Sequence, residues 1–172
     1  TGSVTNIINT YERATDAQLM AGENWYFSAL ALAEELGDRH DLPIVNVAYA
    51  IAALSPVTDW ITNQIAASEV CATGFTRFQS GANIDKANRC LAGNLKALKG
   101  PKVERFALAI VNPLGDTTAC IDRHAFSIWM DSKQTDIQQK VLQRKGAYEL
   151  VADAYAEAAK FLDVVRLIGK RI

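Results

Sequence analysis

Apolar positions recur along this chain at helical rather than alternating spacing. Trp25 to Leu36 carries Phe27, Leu30, Ala31 and Ala33 on one side of Glu34-Glu35, and Gly37 follows as a stop. Pro43 suits the first turn of a second helix, and Ile44 to Leu54 is apolar nearly all round, so this helix is expected to be the buried centre. Ser55-Pro56 ends it, because proline disfavours helical geometry in the residue before it. Thr58 or Asp59 caps a helix through Ala72, and Gly74 to Gly81 is a loop bearing Phe75, Arg77 and Phe78. Asn83 or Asp85 opens a helix reaching Leu98, closed by Gly100. Pro101 to Val111 follows, with Val103, Phe106, Ala107 and Ile110 on one face. Asn112 to Asp116 is a turn, Asp122 opens a short helix to about Met130, and Lys145 to Leu162 is a long amphipathic helix. Val164 to Ile172 adds a further turn or frays. With no strand-length alternation and no 20–50-residue repeat, the pattern predicts an all-α fold, a compact single domain over residues 4–172.

Composition narrows the class without changing this picture. The 172 residues are 49% hydrophobic and 22% charged, the balance of an ordinary globular chain able to bury a core without disulfides or metal. No apolar run is long enough to span a bilayer and no targeting segment is evident, so no membrane association and a cytoplasmic location are expected. Thr1-Gly2-Ser3 reads as a remnant of processing outside the fold. Cys71, Cys90 and Cys120 are odd in number and lack Cys-x-x-Cys spacing, which argues for reduced, buried thiols and against a disulfide framework, a zinc site or an iron–sulfur cluster. Neither metal nor cofactor is expected. Trp25, Tyr26, Phe27 and Trp60 are assigned to the core, although Trp60 is also placed to stack on a base.

Charge is unevenly spread. Residues 1–75 carry a net −7, residues 76–105 a net +5, and the remainder +1. The basic block, with Lys86, Lys96, Lys99, Lys102 and Arg105, runs into the Gly100 turn and suits a phosphate-bearing partner, DNA in the first instance; a solvated lysine face is the plainer alternative.

Lys102 and Asp122 are the candidate chemistry. A lysine presented by a glycine turn can attack a sugar C1′ carbon while an aspartate at the next helix start stabilises positive charge developing there. Set against this, Asp122 suits a plain helix N-cap, Lys102 a solvated residue near a helix N-terminus, and His124 packing or a hydrogen bond. Arg123 can meet phosphate or pair with Glu104.

In three stretches the chain resembles the helix-hairpin-helix DNA glycosylase superfamily, which includes endonuclease III. Ala53-Leu54-Ser55-Pro56-Val57-Thr58-Asp59, with Asn63 beyond, is similar to the family's Leu-Ser segment that opens the base-pocket helix. Gly100-Pro101-Lys102-Val103 is similar to the hairpin glycine and the lysine of bifunctional members, and Ile121-Asp122-Arg123-His124 to its Val-Asp-Thr-His segment. The likeness covers roughly residues 43–130, keeping one of two hairpin glycines and replacing the family's threonine with Arg123. It implies that Lys102 is the nucleophile and Asp122 the stabilising carboxylate, that Lys96, Lys99, Gly100, Arg105 and Arg123 contact DNA, duplex or single-stranded, and that Ser55, Trp60, Asn63 and His124 line the pocket of a flipped-out base. A further similarity to short bacteriophage proteins implies host cytoplasm as the setting. It also makes modification of a hypermodified pyrimidine in DNA an alternative to base removal, beside a non-catalytic DNA-binding module. Oligomeric state is left open.

Overall fold

The computed structural model describes residues 1–115 and 119–162. Every regular element among them is helical. These are α1 (Val4–Arg13), α2 (Asp16–His40), α3 (Ile44–Ala53), α4 (Trp60–Thr73), α5 (Gly81–Leu91), α6 (Pro101–Val111), α7 (Arg123–Met130), α8 (Asp136–Gln139) and α9 (Ala147–Phe161), with short 3₁₀ turns at Leu95–Ala97 and Lys140–Gln143. The chain divides into two compact units, Tyr26–Pro113 and Thr1–Trp25 together with the residues from Leu114 onward, with α2 contributing to both.

The mid-chain unit is built on α3, as its all-round apolar sequence predicts. Val47, Ala48, Ile51, Ala52 and Leu54 are inaccessible to solvent, and α4, α5 and α6 all pack against this one helix. Alanines at positions 66, 67, 87, 107 and 109 are equally buried and let the helix backbones approach closely. The other unit packs α1, α7 and α9 around Ile7, Ile121, Phe126, Val151 and Tyr155.

The structure departs from the sequence pattern at identifiable points. Gly37 does not stop α2, which continues to His40. The stop is Asp41 in the left-handed region (φ 52°), with the Leu42 N–H donating to the Gly37 carbonyl at 2.9 Å, a Schellman closure. Gly37 is instead a close-approach position: a Cβ there would lie 2.9 Å from the Leu42 carbonyl oxygen. Gly37→Ala therefore lowers unfolding free energy by about 1–3 kcal/mol in a urea titration; an unchanged midpoint would contradict that packing. Phe27, assigned to the core, is exposed, whereas Tyr26 beside it is buried against Phe106.

Thr1-Gly2-Ser3 is part of the fold rather than a remnant beside it. Ser3 caps α1 by accepting from the Asn6 N–H, its own N–H donates to the Trp129 carbonyl at 3.0 Å, and Gly2 lies against the Trp129 ring. The helix assigned to begin at Asn83 or Asp85 begins at Gly81, capped by Ser80, and it ends at Leu91 rather than Leu98. The final amphipathic helix is slightly shorter than its pattern, Ala147–Phe161. Asp116 and the segment from Val164 onward lie outside the described residues.

Candidate functional site

The basic run occupies the connection between α5 and α6. Gly93 (φ 89°) closes α5: its N–H donates to the Cys90 carbonyl and that of Asn94 to the Arg89 carbonyl, both at 2.9 Å. A 3₁₀ turn follows, in which Ala97 and Leu98 are buried while Lys96 and Lys99 face solvent. Alternation of apolar anchors with exposed lysines thus fixes which side of the connection is cationic. Gly100 then adopts φ 116°, ψ 135°, a conformation essentially closed to residues with a side chain, and Pro101 opens α6 behind it. A Cβ at Gly100 would meet only Val103 Cγ2 at 3.9 Å, so backbone geometry rather than space requires glycine.

Lys102 stands exposed in the first turn of α6, and Arg105 one turn on is half-buried. The sequence offered Glu104 only as a partner for Arg123. Glu104 Oε1 accepts the Gly100 N–H at 2.9 Å, so the backbone donor assigned to phosphate is already held by a carboxylate. An incoming phosphate oxygen has to displace that acid, and repulsion between the two makes the exchange sensitive to charge. α3 supports the connection from beneath. Asn46 Nδ2 donates to the last-turn Leu91 carbonyl of α5 at 3.1 Å. Tyr49 has its pKa raised by burial first and then by Glu104 and Cys90.

Ser55, Trp60 and Asn63 gather where α3 gives way to α4. Ser55 Oγ donates to the Ala52 carbonyl, which also accepts the Ser55 N–H, and Asn63 Nδ2 donates to the Ile51 carbonyl, so both add donors at the end of α3. Asn63 is only 2% exposed, and its Oδ1 is buried without a partner among the described residues. Trp60 is half-buried. The intervening turn sets Val57 at φ 63°, a rare conformation for a β-branched residue, with its side chain in solvent. It is held there by Gln79 Nε2, which donates to the Leu54 and Pro56 carbonyls, and by Thr58 Oγ1 on Leu54 and Ser55.

Asp122 belongs to the other unit, as do Arg123 and His124, both exposed at the start of α7. Ala119, Cys120 and Ile121 form a buried lead-in to it. The Ile121 N–H donates to Tyr148 Oη at 2.7 Å, and Asp122 Oδ1 caps α7 by accepting the Ala125 N–H at 2.8 Å. Tyr155 Oη donates to the Ala125 carbonyl, and its pKa is raised by burial and, secondarily, by the Asp122 charge. These two tyrosines of α9 fix the Asp122 backbone and went unnoticed in the sequence, where they read only as part of an amphipathic face. Tyr148→Phe leaves the Ile121 N–H buried without its acceptor. It lowers stability by about 1–3 kcal/mol and accelerates hydrogen exchange at Ile121; unchanged exchange would remove Tyr148 as the support.

The cysteines are free thiols. Burial pushes Cys71 up to about 11 and also raises Cys90, the opposite of what a reactive thiolate needs. Among the described residues no three His, Cys, Asp or Glu side chains converge as a metal site, and no helix is long and apolar enough to cross a membrane.

A family model for a family of unknown function, DUF7178, matches residues 1–166. The chain belongs to that family. The DUF7178 match spans both compact units, so each is part of what the family shares. No curated protein and no solved structure matches this DUF7178 chain.

Proposed function

We propose that this chain binds DNA through the α5–α6 connection, acting as a helix-hairpin-helix, and removes one everted base with Lys102 as nucleophile and Asp122 as the stabilising carboxylate. The observation that carries the reading is the connection itself. Two glycines at positive φ turn the backbone, buried Ala97 and Leu98 hold it down, and Lys96, Lys99 and Lys102 stand in solvent over a helix N-terminus. A helix start with cations along one edge suits a phosphodiester backbone. The reaction would run in the cytoplasm, that of the host cell if the chain is viral.

The test is covalent trapping. The protein is incubated with duplex and single-stranded oligonucleotides bearing damaged or hypermodified bases, in the presence of borohydride. A protein–DNA adduct that survives denaturation is the expected result. No adduct and no base release across the panel would remove the glycosylase reading.

A second reading, a DNA-binding module without chemistry, is favoured by the Asp122 carboxylate serving as the α7 cap and by Glu104 holding the Gly100 N–H. Under that reading Asp122→Asn, which keeps a capping oxygen, leaves DNA affinity unchanged and no adduct forms with either protein.

A further inference from the structure

Lined by the second half of α7, by α8 and by the 3₁₀ turn after it, a groove of about 540 Å³ opens on the terminal unit. That volume falls within the roughly 300–1,000 Å³ of sites that enclose small ligands. None of its lining residues takes part in the chemistry proposed for Lys102 and Asp122. Its walls divide into three kinds. Met130 and Ile137 supply apolar surface, and Ile137 is 78% exposed. Gln134 and Gln138 supply amides, and Lys140 and Arg144 supply cations.

The amides decide the ligand class. Gln134 is only 6% exposed, and its Nε2 is committed to the Ser132 carbonyl and hydroxyl, at 3.0 and 2.7 Å. Its Oε1 accepts no hydrogen bond among the described residues, and the residue lines the groove. Gln138 is the converse. Its Oε1 is held in the capping box by Thr135, which leaves Nε2 as a donor. An acceptor and a donor in the lining of one groove, together with apolar surface, match the edge and the face of a heteroaromatic ring. A simple hydrocarbon tail would cover the Gln134 oxygen without replacing its water, which is costly. The cations then select a ligand carrying an anionic group beyond the ring. Lys133, Lys140, Arg144 and Lys145 against Asp136 give the surrounding segment an excess of positive charge.

We infer that this groove is a binding site for a phosphorylated heteroaromatic molecule, a nucleotide being the representative, with the ring between Met130 and Ile137, its edge on the two glutamine amides and its phosphate at Lys140 and Arg144. A free nucleotide and one within a strand share this chemistry, and the arms of the experiment separate the two. The full chain, labelled with ¹⁵N, is titrated with dTMP, dAMP, a 5′-phosphorylated trithymidylate, inorganic phosphate and dodecanoate. Saturable shifts at the amides of Gln134, Ile137, Gln138 and Arg144 with a mononucleotide assign a free nucleotide; shifts there with the trinucleotide alone assign a strand. Inorganic phosphate binds at least about tenfold more weakly, since it lacks the ring. Arg144→Gln and Lys140→Gln each weaken binding about fivefold, and Gln134→Leu about tenfold without weakening dodecanoate. Ile137→Asp, at an exposed position that the fold does not need, abolishes nucleotide binding while the spectrum stays dispersed. Tighter binding of dodecanoate, equal binding of inorganic phosphate, or no saturation with any nucleotide at millimolar concentration overturns the assignment.

Discussion

Ile51→Ala lowers the unfolding free energy by about 2–5 kcal/mol. Ile51 lies in the last turn of α3 at 0% exposure, on the helix that α4, α5 and α6 share. Three carbon groups removed there leave a void in a unit rich in buried alanines, whose side chains are too short to fill it. The loss of burial is therefore joined by nearly the whole cavity cost. Urea denaturation followed by circular dichroism measures it, with the dependence on denaturant unchanged. A loss below about 1 kcal/mol would mean that α3 is not the centre of its unit, because a peripheral helix relaxes around a deletion. The consequence reaches function: Asn46 on the same helix ties down the end of α5, so loosening α3 also loosens the turn that carries the lysines.

Lys102→Ala abolishes the borohydride-trapped adduct, a fall of at least about 100-fold. In the proposed reaction the Lys102 amine forms a bond to C1′ as the bond from C1′ to the base breaks, and the base leaves with the electron pair and takes up a proton. Loss of the amine proton and opening of the sugar ring give an imine, to which borohydride delivers hydride, fixing the sugar on the Nζ. With alanine there is no amine to attack and nothing to reduce, while the fold is untouched because the lysine side chain is exposed. Mass spectrometry of the digested adduct places the sugar on the peptide containing Lys102. An adduct of undiminished yield in Lys102→Ala, or one mapped to Lys96 or Lys99, would reassign the nucleophile.

The helical character and the central helix were legible because both rest on local signals. Ile44 to Leu54 has almost no polar face, and Pro43, Ser55-Pro56, Asp59, Gly100-Pro101 and Asp122 mark boundaries through chemistry confined to a few residues. What escaped was set by tertiary packing or by signals passed over. Gly37 reads as a stop because glycine usually is one; only the approach of Leu42 shows that the missing side chain is what matters. Gly93 is an unread local signal, a glycine after Leu91-Ala92 that ends α5 early. So are the reciprocal Thr15–Gln18 and Thr135–Gln138 pairs that open α2 and α8. For the candidate site, sequence picked out the lysines and the turn. It could not show that the Glu104 carboxylate sits on the Gly100 N–H, or that Ser55 and Asn63 spend donors on the end of α3, because those are facts about where side chains reach.

Both functional readings require that DNA meet the α5–α6 connection, and one measurement addresses this directly. Affinity for a short duplex and for a single strand is measured over a range of salt concentrations for the wild type and for the variant Lys96→Gln, Lys99→Gln, Lys102→Gln. The account predicts weaker binding by the variant and, on the duplex, a log–log salt slope shallower by about 2 to 3, near 0.9 for each phosphate contact removed. Equal affinity and equal slope for the two proteins, or no binding by the wild type at low salt, would contradict it.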